Sequence, residues 1–252
     1  QNSINERQES IPLYGELGSI NPQILLPEIM SRKGNELAET LTQSLLMGQG
    51  QFCTSPGVWL IPETGQGFID HVAAYIEQQS SAPLLTPGIK STYDRGVDKL
   101  SSVPGVNIVG QSQTQEDFHA TAHLFQTDVD TFIANDMLQQ EVFGPFALIV
   151  TYKSTEELLS CITSLDGQLT ASVHGTDKDL QLHLALIKKL AFKVGRLIFN
   201  QMPTGVEVCH SMNHGGPYPA STDVRSTSVG SMAMKRYQRP ICYQNMPPLL
   251  MD

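Results

Sequence analysis

Residues 146–200, FALIVTYKSTEELLSCITSLDGQLTASVHGTDKDLQLHLALIKKLAFKVGRLIFN, decide the predicted fold. Three apolar runs in this stretch have the length of buried strands: 146–152, 169–174 and 196–200. Two segments between them have the apolar spacing of amphipathic helices: 155–163 and 180–191. Strands that alternate with helices form a largely parallel sheet, because right-handed crossovers place a helix between successive parallel strands. The stretch therefore predicts an α/β protein with helices on both faces of a twisted sheet.

The same alternation continues toward the amino terminus. Further helices are predicted at 36–47, 68–76 and 89–101, and further strands at 58–61, 106–109 and 120–125. Residues 1–10 are polar and without pattern, which predicts a linker, so we expect one folded domain over residues 11–235. Beyond Gly205 the pattern gives way to an irregular tail rich in Gly, Pro and Ser. We expect its last part, 236–252, to pack on a neighbour.

Composition excludes several classes of protein. The 252 residues are 40% hydrophobic, which is enough for a sizeable core. The 25 acidic and 16 basic residues give a net charge of -9, which argues against a nucleic-acid partner. No run approaches the apolar length of a membrane span, and the first residues do not resemble a targeting peptide. Four cysteines without a Cys-x-x-Cys pair indicate reduced thiols. We therefore predict a cytoplasmic protein that does not bind a membrane.

Common nucleotide and metal motifs are missing from the sequence. Neither Gly48-Gln-Gly50 nor Gly65-Gln-Gly67 has a third glycine at the offset of a dinucleotide motif, and no phosphate-binding Gly-x-x-x-x-Gly-Lys-Ser/Thr occurs. Cys209, His210 and His214 are potential zinc ligands within six residues, but no second cysteine pair accompanies them. The sequence therefore predicts no metal site.

A cysteine lies on a glycine-rich turn between a predicted helix and a predicted buried strand. The segment reads Gly48-Gln-Gly-Gln-Phe-Cys53-Thr-Ser-Pro-Gly57. Glycines let backbone N–H groups approach a reacting oxygen, so the turn suits a nucleophilic thiol. Free cysteines are also common as small buried apolar residues. The spacing alone favours neither reading of Cys53.

Two carboxylates lie on glycine-containing segments that precede apolar runs. Glu16 lies in Tyr14-Gly-Glu-Leu-Gly-Ser-Ile-Asn-Pro22, and Glu141 lies in Gln140-Glu-Val-Phe-Gly-Pro145. Each could serve as an acid or a base in catalysis. A solvated surface charge for Glu16, and a capping acid at a Gly-Pro turn for Glu141, are the alternatives.

Together, these three segments resemble the catalytic half of the aldehyde dehydrogenase superfamily, in order and in approximate spacing. Gly195-Arg-Leu-Ile-Phe-Asn200 is similar to the superfamily strand that ends in Asn. The usual carboxyl-terminal Pro-Phe-Gly-Gly motif is replaced by Asn213-His-Gly-Gly-Pro-Tyr218. This variant resembles the branch that contains 2-oxoglutarate semialdehyde dehydrogenases and NADP-preferring fatty aldehyde dehydrogenases.

The resemblance implies a mechanism for oxidising an aldehyde to a carboxylic acid. Cys53 would add to the aldehyde carbonyl, and hydride would then leave to NADP or NAD, giving a thioester. Glu16 would activate the hydrolytic water, a task that favours a raised pKa. Glu141 would bind the nicotinamide ribose, and Phe143 would pack near the nicotinamide. His214 would tune the Cys53 thiolate or, as the alternative, bond to backbone in a turn.

By the same resemblance, one segment should line the aldehyde tunnel: Thr204, Gly205, Val206, Glu207, Val208 and Cys209. Its polar character favours a short or polar aldehyde such as 2-oxoglutarate semialdehyde over a long-chain fatty aldehyde. A cysteine hydrolase and a non-catalytic interaction domain are the alternatives from other classes.

The resemblance covers about half of a family enzyme, and the chain begins with Gln1 rather than Met. We therefore expect a catalytic-domain piece without the amino-terminal cofactor-binding domain, which would be its partner. The intact enzyme is expected to be a homo-oligomer.

Overall fold

The computed structural model of the chain describes residues 2–9, 11–113, 116 and 118–250. Seven strands form its main sheet: β1 Gln23–Leu25, β2 Val58–Pro62, β3 Asn107–Gln111, β4 His123–Asp128, β5 Phe146–Tyr152, β6 Gln168–His174 and β7 Val194–Phe199. Their spatial order is β3-β4-β5-β2-β1-β6-β7. Neighbouring strands run parallel apart from β3 and β4, which are antiparallel. The predicted largely parallel α/β sheet is confirmed.

Eight α-helices accompany the sheet: α1 Asn2–Asn5, α2 Pro27–Leu46, α3 Gln66–Glu77, α4 Pro87–Ser101, α5 Val129–Ala134, α6 Thr155–Ser164, α7 Asp177–Leu182 and α8 Leu184–Ala191. Helices α2 and α3 cover one face of the sheet, and α4, α5, α6 and α8 cover the other. Each face carries its own apolar core because side chains alternate along a strand. In β2, for example, Trp59 and Ile61 belong to the core beneath α2 and α3, whereas Leu60 belongs to the opposite core.

Several predicted boundaries were wrong. Helix α2 begins at Pro27 rather than at residue 36, because proline suits a first helical turn although that turn lacks the apolar stripe. Its backbone is interrupted at Lys33 (φ -135°, ψ 22°). The single helix predicted over 180–191 is two helices that meet at His183, whose Nδ1 lies 2.8 Å from the Asp179 carbonyl oxygen.

The segment predicted as a strand over 120–125 is also divided. Residues His119–Ala120 pair with Ala82–Pro83 in a small separate sheet, and the main-sheet strand begins at His123 in register with Phe146. Within the predicted linker, residues Asn2–Asn5 form one helical turn. Four short 3₁₀ helices complete the described structure: Met47–Gly50, Asp136–Gln139, Ser231–Tyr237 and Pro248–Leu250. In the part of the chain that is described, no helix combines the length and apolarity of a membrane span.

The strand order explains how three distant segments come together. Strands β5, β2 and β1 are neighbours, and the segments that contain Glu141, Cys53 and Glu16 directly precede them. In parallel strands the amino ends lie at the same edge of the sheet. The fold therefore places all three predicted site segments along the amino edge of β5, β2 and β1.

Candidate active site

The turn that carries Cys53 has a backbone that depends on glycine. Gly48, Gln49 and Gly50 have φ values of 55°, 57° and 66°, in the left-handed region that favours glycine. A side chain at Gly50 would overlap the carbonyl oxygen of Gly144. The nucleophile turn and the segment after Glu141 therefore touch through their main chains. Cys53 is half-buried at this point and is one of four free thiols.

Cys53, His214 and Glu16 meet at the amino edge of the sheet. His214 Nε2 lies 3.3 Å from Cys53 Sγ and 3.1 Å from Glu16 Oε2. The His214 side chain is buried, with 6% exposed, whereas Glu16 keeps a third of its side chain exposed to solvent. Ser228 Oγ donates a weaker 3.4 Å hydrogen bond to the same Glu16 oxygen. One imidazole nitrogen thus lies between a thiol and a carboxylate.

The loop around His214 holds the ring in this position. The His214 N–H donates to Thr227 Oγ1 at 2.8 Å, and its carbonyl oxygen accepts from the Ser228 N–H at 2.8 Å. Asn213 Nδ2 donates to the Gly195 carbonyl oxygen at 2.9 Å and ties the loop to β7. The backbone of His214 is thus bonded within the turn while its ring contacts Cys53, and its role in tuning the Cys53 thiolate stays a prediction.

Electrostatics make His214 and Glu16 an ion pair. Hydrogen bonds with Cys53 and Glu16 raise the pKa of His214 to about 9, so its ring is charged at neutral pH. The hydrogen bond from His214 is the largest influence on Glu16 and lowers the pKa of its carboxyl, although partial burial acts in the opposite direction. The task of a general base favours a raised pKa, whereas the His214 cation beside Glu16 lowers it.

Glu141 has the opposite environment. Burial raises the pKa of its carboxyl to about 7, and the nearby charge of Glu16 acts in the same direction. The Ser19 N–H donates to Glu141 Oε2 at 3.3 Å and partly offsets this rise. Phe143 follows on the same turn and is half-buried. Glu141, Phe143 and Ser55 line one small cavity, in which the buried Ser55 Oγ has no partner among the described residues.

Asn21 is a site residue that the sequence analysis missed. Its side chain is fully buried, and Nδ2 donates to the carbonyl oxygens of Cys53 and Ser55, each at 2.9 Å. Its Oδ1 accepts from Ser19 Oγ and from Thr170 Oγ1, also at 2.9 Å. Asn21 therefore fixes the nucleophile turn on the sheet. Asn21 has a left-handed φ of 45°, which Asn tolerates better than most residues. An Asn directly before Pro22 was therefore the one local signal of an unusual backbone at this position.

The predicted tunnel segment lies beside the same edge of the sheet. Thr204 Oγ1 lies 2.6 Å from Ser44 Oγ on α2, and Arg196 of β7 donates to the carbonyl oxygens of Pro203 and Gly205. Further along, Val208 is 77% exposed. Cys209 Sγ contacts Ser211 Oγ at 3.5 Å. Lining of an aldehyde tunnel by residues 204–209 stays a prediction.

The three potential zinc ligands singled out in the sequence are not brought together. His210 Nδ1 contacts Ser231 Oγ, and Cys209 contacts Ser211. Among the described residues, the group of at least three potential ligands that does converge is Glu16, Cys53 and His214, with all ligand atoms within 4.8 Å. These three residues are the ones to which the sequence analysis gave catalytic roles, and those roles stay predictions.

An α/β sheet with a cysteine, a charged histidine and a carboxylate at one edge is typical of enzymes that act through a cysteine nucleophile. Comparison with known proteins identifies the family. The chain belongs to the aldehyde dehydrogenase family, whose model matches residues 3–239.

Two curated relatives match almost the whole chain. Alpha-ketoglutaric semialdehyde dehydrogenase 2 of Azospirillum brasilense is 39% identical over 247 residues, which are 96% of this chain and 47% of the relative. Alpha-ketoglutaric semialdehyde dehydrogenase of Acinetobacter baylyi is 38% identical over 255 residues, covering 99% of this chain and 48% of the relative. The chain thus spans about half the length of these relatives.

Solved structures match the fold at lower identity. A bifunctional proline utilization A protein superposes with a TM-score of 0.77 and 20% identity, over 94% of this chain and 24% of that chain. A mutant of aldehyde dehydrogenase from Bacillus cereus gives a TM-score of 0.71 and 18% identity, over 88% of this chain and 44% of that chain. These similarities establish the fold.

Proposed function

We propose that the chain forms the catalytic part of an NAD(P)-dependent aldehyde dehydrogenase that converts an aldehyde to a carboxylic acid. The observation that carries the proposal is the contact of Cys53 Sγ with the His214–Glu16 ion pair, on a family-specific turn. The thiolate of a cysteine is the form that attacks a carbonyl carbon, and His214 Nε2 lies 3.3 Å from Cys53 Sγ. The product of that attack is a thiohemiacetal on Cys53.

The backbone of the nucleophile turn supports the developing oxyanion. The turn is fixed by Asn21 through the carbonyl oxygens of Cys53 and Ser55, so the Cys53 N–H keeps one direction during the reaction. A preorganised donor of this kind stabilises the charged transition state without reorganisation. We assign that role to the Cys53 N–H.

Glu16 is proposed as the base that activates water for hydrolysis of the thioester. Its carboxylate lies beside Cys53, is ionised at neutral pH and remains partly open to solvent. His214 contacts Cys53 and Glu16 through the same nitrogen. In a cysteine hydrolase the carboxylate would instead bond the other ring nitrogen and orient the histidine. This geometry favours the dehydrogenase over the hydrolase alternative.

Glu141 and Phe143 are proposed to hold the nicotinamide end of the dinucleotide. A carboxylate accepts hydrogen bonds from ribose hydroxyls, and an aromatic ring packs on the nicotinamide. When bound, NAD or NADP supplies the hydride acceptor that turns the thiohemiacetal into the thioester. The residues present fit that group.

Most of the binding free energy of the dinucleotide is proposed to come from a cofactor-binding domain outside these 252 residues. Two hydrogen bonds of roughly 1 kcal/mol each do not offset the cost of immobilising a dinucleotide. We expect calorimetry of the 252-residue chain with NAD+ or NADP+ to detect no binding. Micromolar binding of either dinucleotide would place the cofactor site within this chain.

We propose 2-oxoglutarate semialdehyde as the substrate. Support comes from two relatives of 38% and 39% identity whose names state that substrate, and from the polar segment 204–209. A long-chain fatty aldehyde would need an apolar tunnel. Homo-oligomerisation and a cytoplasmic location stay predictions.

The proposal is tested by replacing Cys53 in the natural protein that contains this chain. Formation of reduced nicotinamide is followed with 2-oxoglutarate semialdehyde and either NAD+ or NADP+. Cys53→Ala is expected to abolish turnover, and Cys242→Ala, which removes an exposed thiol, is the matched control and is expected to have no effect. Turnover by the Cys53→Ala protein, or inactivity of the unaltered protein with every aldehyde tried, would contradict the proposal.

A further inference from the structure

Arg196 carries a charge near the site that no carboxylate neutralises. Its two terminal nitrogens donate to the carbonyl oxygens of Pro203, at 2.7 Å, and Gly205, at 3.2 Å. Its Nε is buried and has no hydrogen-bond partner among the described residues. Within the same part of the chain, no carboxylate oxygen lies within salt-bridge distance of the guanidinium. A half-buried cation without a counterion attracts an anionic ligand.

The sheet register places Arg196 on the face of the nucleophile turn. Arg196 is paired with Thr170 in the parallel β6–β7 ladder, so both side chains point to the same face. Thr170 Oγ1 donates to Asn21, and Asn21 in turn donates to the Cys53 carbonyl oxygen. Thr170 and Asn21 thus connect the strand position of Arg196 to the nucleophile turn. An interaction with Cys53, which opposes the effect of burial on the pKa of Arg196, agrees with this placement.

The other charged groups near Cys53 that the structure describes form no ion pair with Arg196. The His214 cation is paired with Glu16 at 3.1 Å. Glu207, two residues beyond the Gly205 carbonyl that Arg196 binds, is exposed and has no ion pair with a described residue. The positive charge of Arg196 therefore has no carboxylate partner among the described residues, and it lies against the carbonyl oxygens of Pro203 and Gly205.

We propose that Arg196 is a specificity-determining residue that selects aldehydes carrying a carboxylate. The two terminal nitrogens of its guanidinium group hold the segment 203–205 by hydrogen bonds to two main-chain carbonyl oxygens. The remaining N–H groups of the guanidinium attract the substrate carboxylate. The proposal rests on the proposed function, since it concerns which aldehyde is oxidised. According to the proposal, the Arg196 side chain causes the preference for a carboxylated aldehyde over an uncharged aldehyde of the same length.

Two substitutions separate the charge of Arg196 from its shape. Arg196→Gln removes the charge, whereas Arg196→Lys keeps the charge but loses the planar fork. A hydrogen bond to a charged group contributes about 1.5–3 kcal/mol, which corresponds to roughly 10–100-fold in kcat/KM. Arg32→Gln, on the exposed surface of α2, makes the same change in net charge and is the matched control.

The experiment compares kcat/KM for 2-oxoglutarate semialdehyde with that for pentanal, an uncharged aldehyde of the same chain length, in the natural protein. The unaltered protein is expected to prefer the carboxylated aldehyde. In Arg196→Gln the preference is expected to fall at least about tenfold, because kcat/KM falls more for the carboxylated aldehyde than for pentanal. In Arg196→Lys and Arg32→Gln the preference is expected to stay within about threefold of the unaltered protein.

Each possible outcome decides the proposal. An equal loss with both aldehydes in Arg196→Gln would overturn it, since a merely structural residue affects both substrates alike. Disappearance of the preference in Arg196→Lys, in which the charge is still present, would also overturn it. Equal oxidation of both aldehydes by the unaltered protein would also overturn it. Oxidation of pentanal in that case would leave the proposed dehydrogenase function intact, whereas inactivity with both aldehydes would contradict that function itself.

Discussion

The segments around Glu16 and Glu141 differ in electrostatics although both place a glutamate on a glycine-containing turn at the amino edge of the sheet. Beside Glu16 a charged His214 lowers the pKa of the carboxyl. Around Glu141 burial without a cation raises the pKa to about 7. The two carboxyls are close enough for the charge of Glu16 to act on Glu141. Such divergent environments assign different tasks to one residue type.

The largest effect is expected from Glu16→Gln. Loss of a general base lowers a rate by about 10²–10⁴-fold, so steady-state turnover should fall by that factor. The first turnover still forms the thioester, because it does not need the base, and a burst of reduced nicotinamide is expected in stopped-flow measurements. Glu36→Gln, an exposed change on α2, is the control. A slow first turnover without a burst would assign Glu16 to an earlier step.

Glu141→Gln is expected to have a smaller effect on a different step. Weaker hydrogen bonds to the ribose hydroxyls should raise KM for the dinucleotide by about tenfold. Slower hydride transfer should appear as an isotope effect on kcat with deuterated aldehyde, which Glu16→Gln should lack. Because the carboxylate is the better acceptor and the pKa of Glu141 is about 7, KM of the unaltered protein should fall as pH rises through 7. A variant that retained this pH dependence would exclude Glu141 as its cause.

His214→Asn tests the cause of the difference itself through the pH dependence of the reaction rather than through the size of kcat. Removal of the cation takes away the largest influence that lowers the pKa of Glu16, so that pKa rises. Since the base must be ionised, the acidic limb of the kcat profile should move to higher pH. The pH dependence of KM for the dinucleotide should stay in place, because burial rather than His214 sets the pKa of Glu141. If both profiles moved together, the two carboxyls would titrate as one unit.

Sequence patterns predicted the parts of the molecule that depend on local order. Alternating apolar runs predicted the parallel sheet, and the segments before 23, 58 and 146 meet because β1, β2 and β5 are neighbours. Apolar periodicity could not predict the first turn of α2 at Pro27, which lacks an apolar stripe. It also could not distinguish β3 as an antiparallel edge strand, since strand direction depends on pairing rather than on composition.

Long-range contacts limited the prediction of the site. Glu16 and His214 are separated by almost the whole chain, so no local pattern indicates that they form an ion pair. The lowered pKa of Glu16 follows from that contact and could not be read from the sequence. The assignment of Cys53, Glu16, Glu141 and Phe143 came from the resemblance of their motifs to those of the aldehyde dehydrogenase superfamily, and their roles stay predictions.

The main-chain contact between Gly50 and Gly144 has a consequence for redesign. The main chains of Gly50 and Gly144 are in direct contact, so the distance between the Cys53 turn and the Glu141 segment does not depend on the side chains around them. Close packing of the two main chains sets that distance. Protein engineers who want a different aldehyde can therefore vary side chains in 204–209 and keep glycine at both contact positions. Variants with any other residue at Gly50 or Gly144 should instead lose activity with all aldehydes, because a side chain at either position overlaps its neighbours.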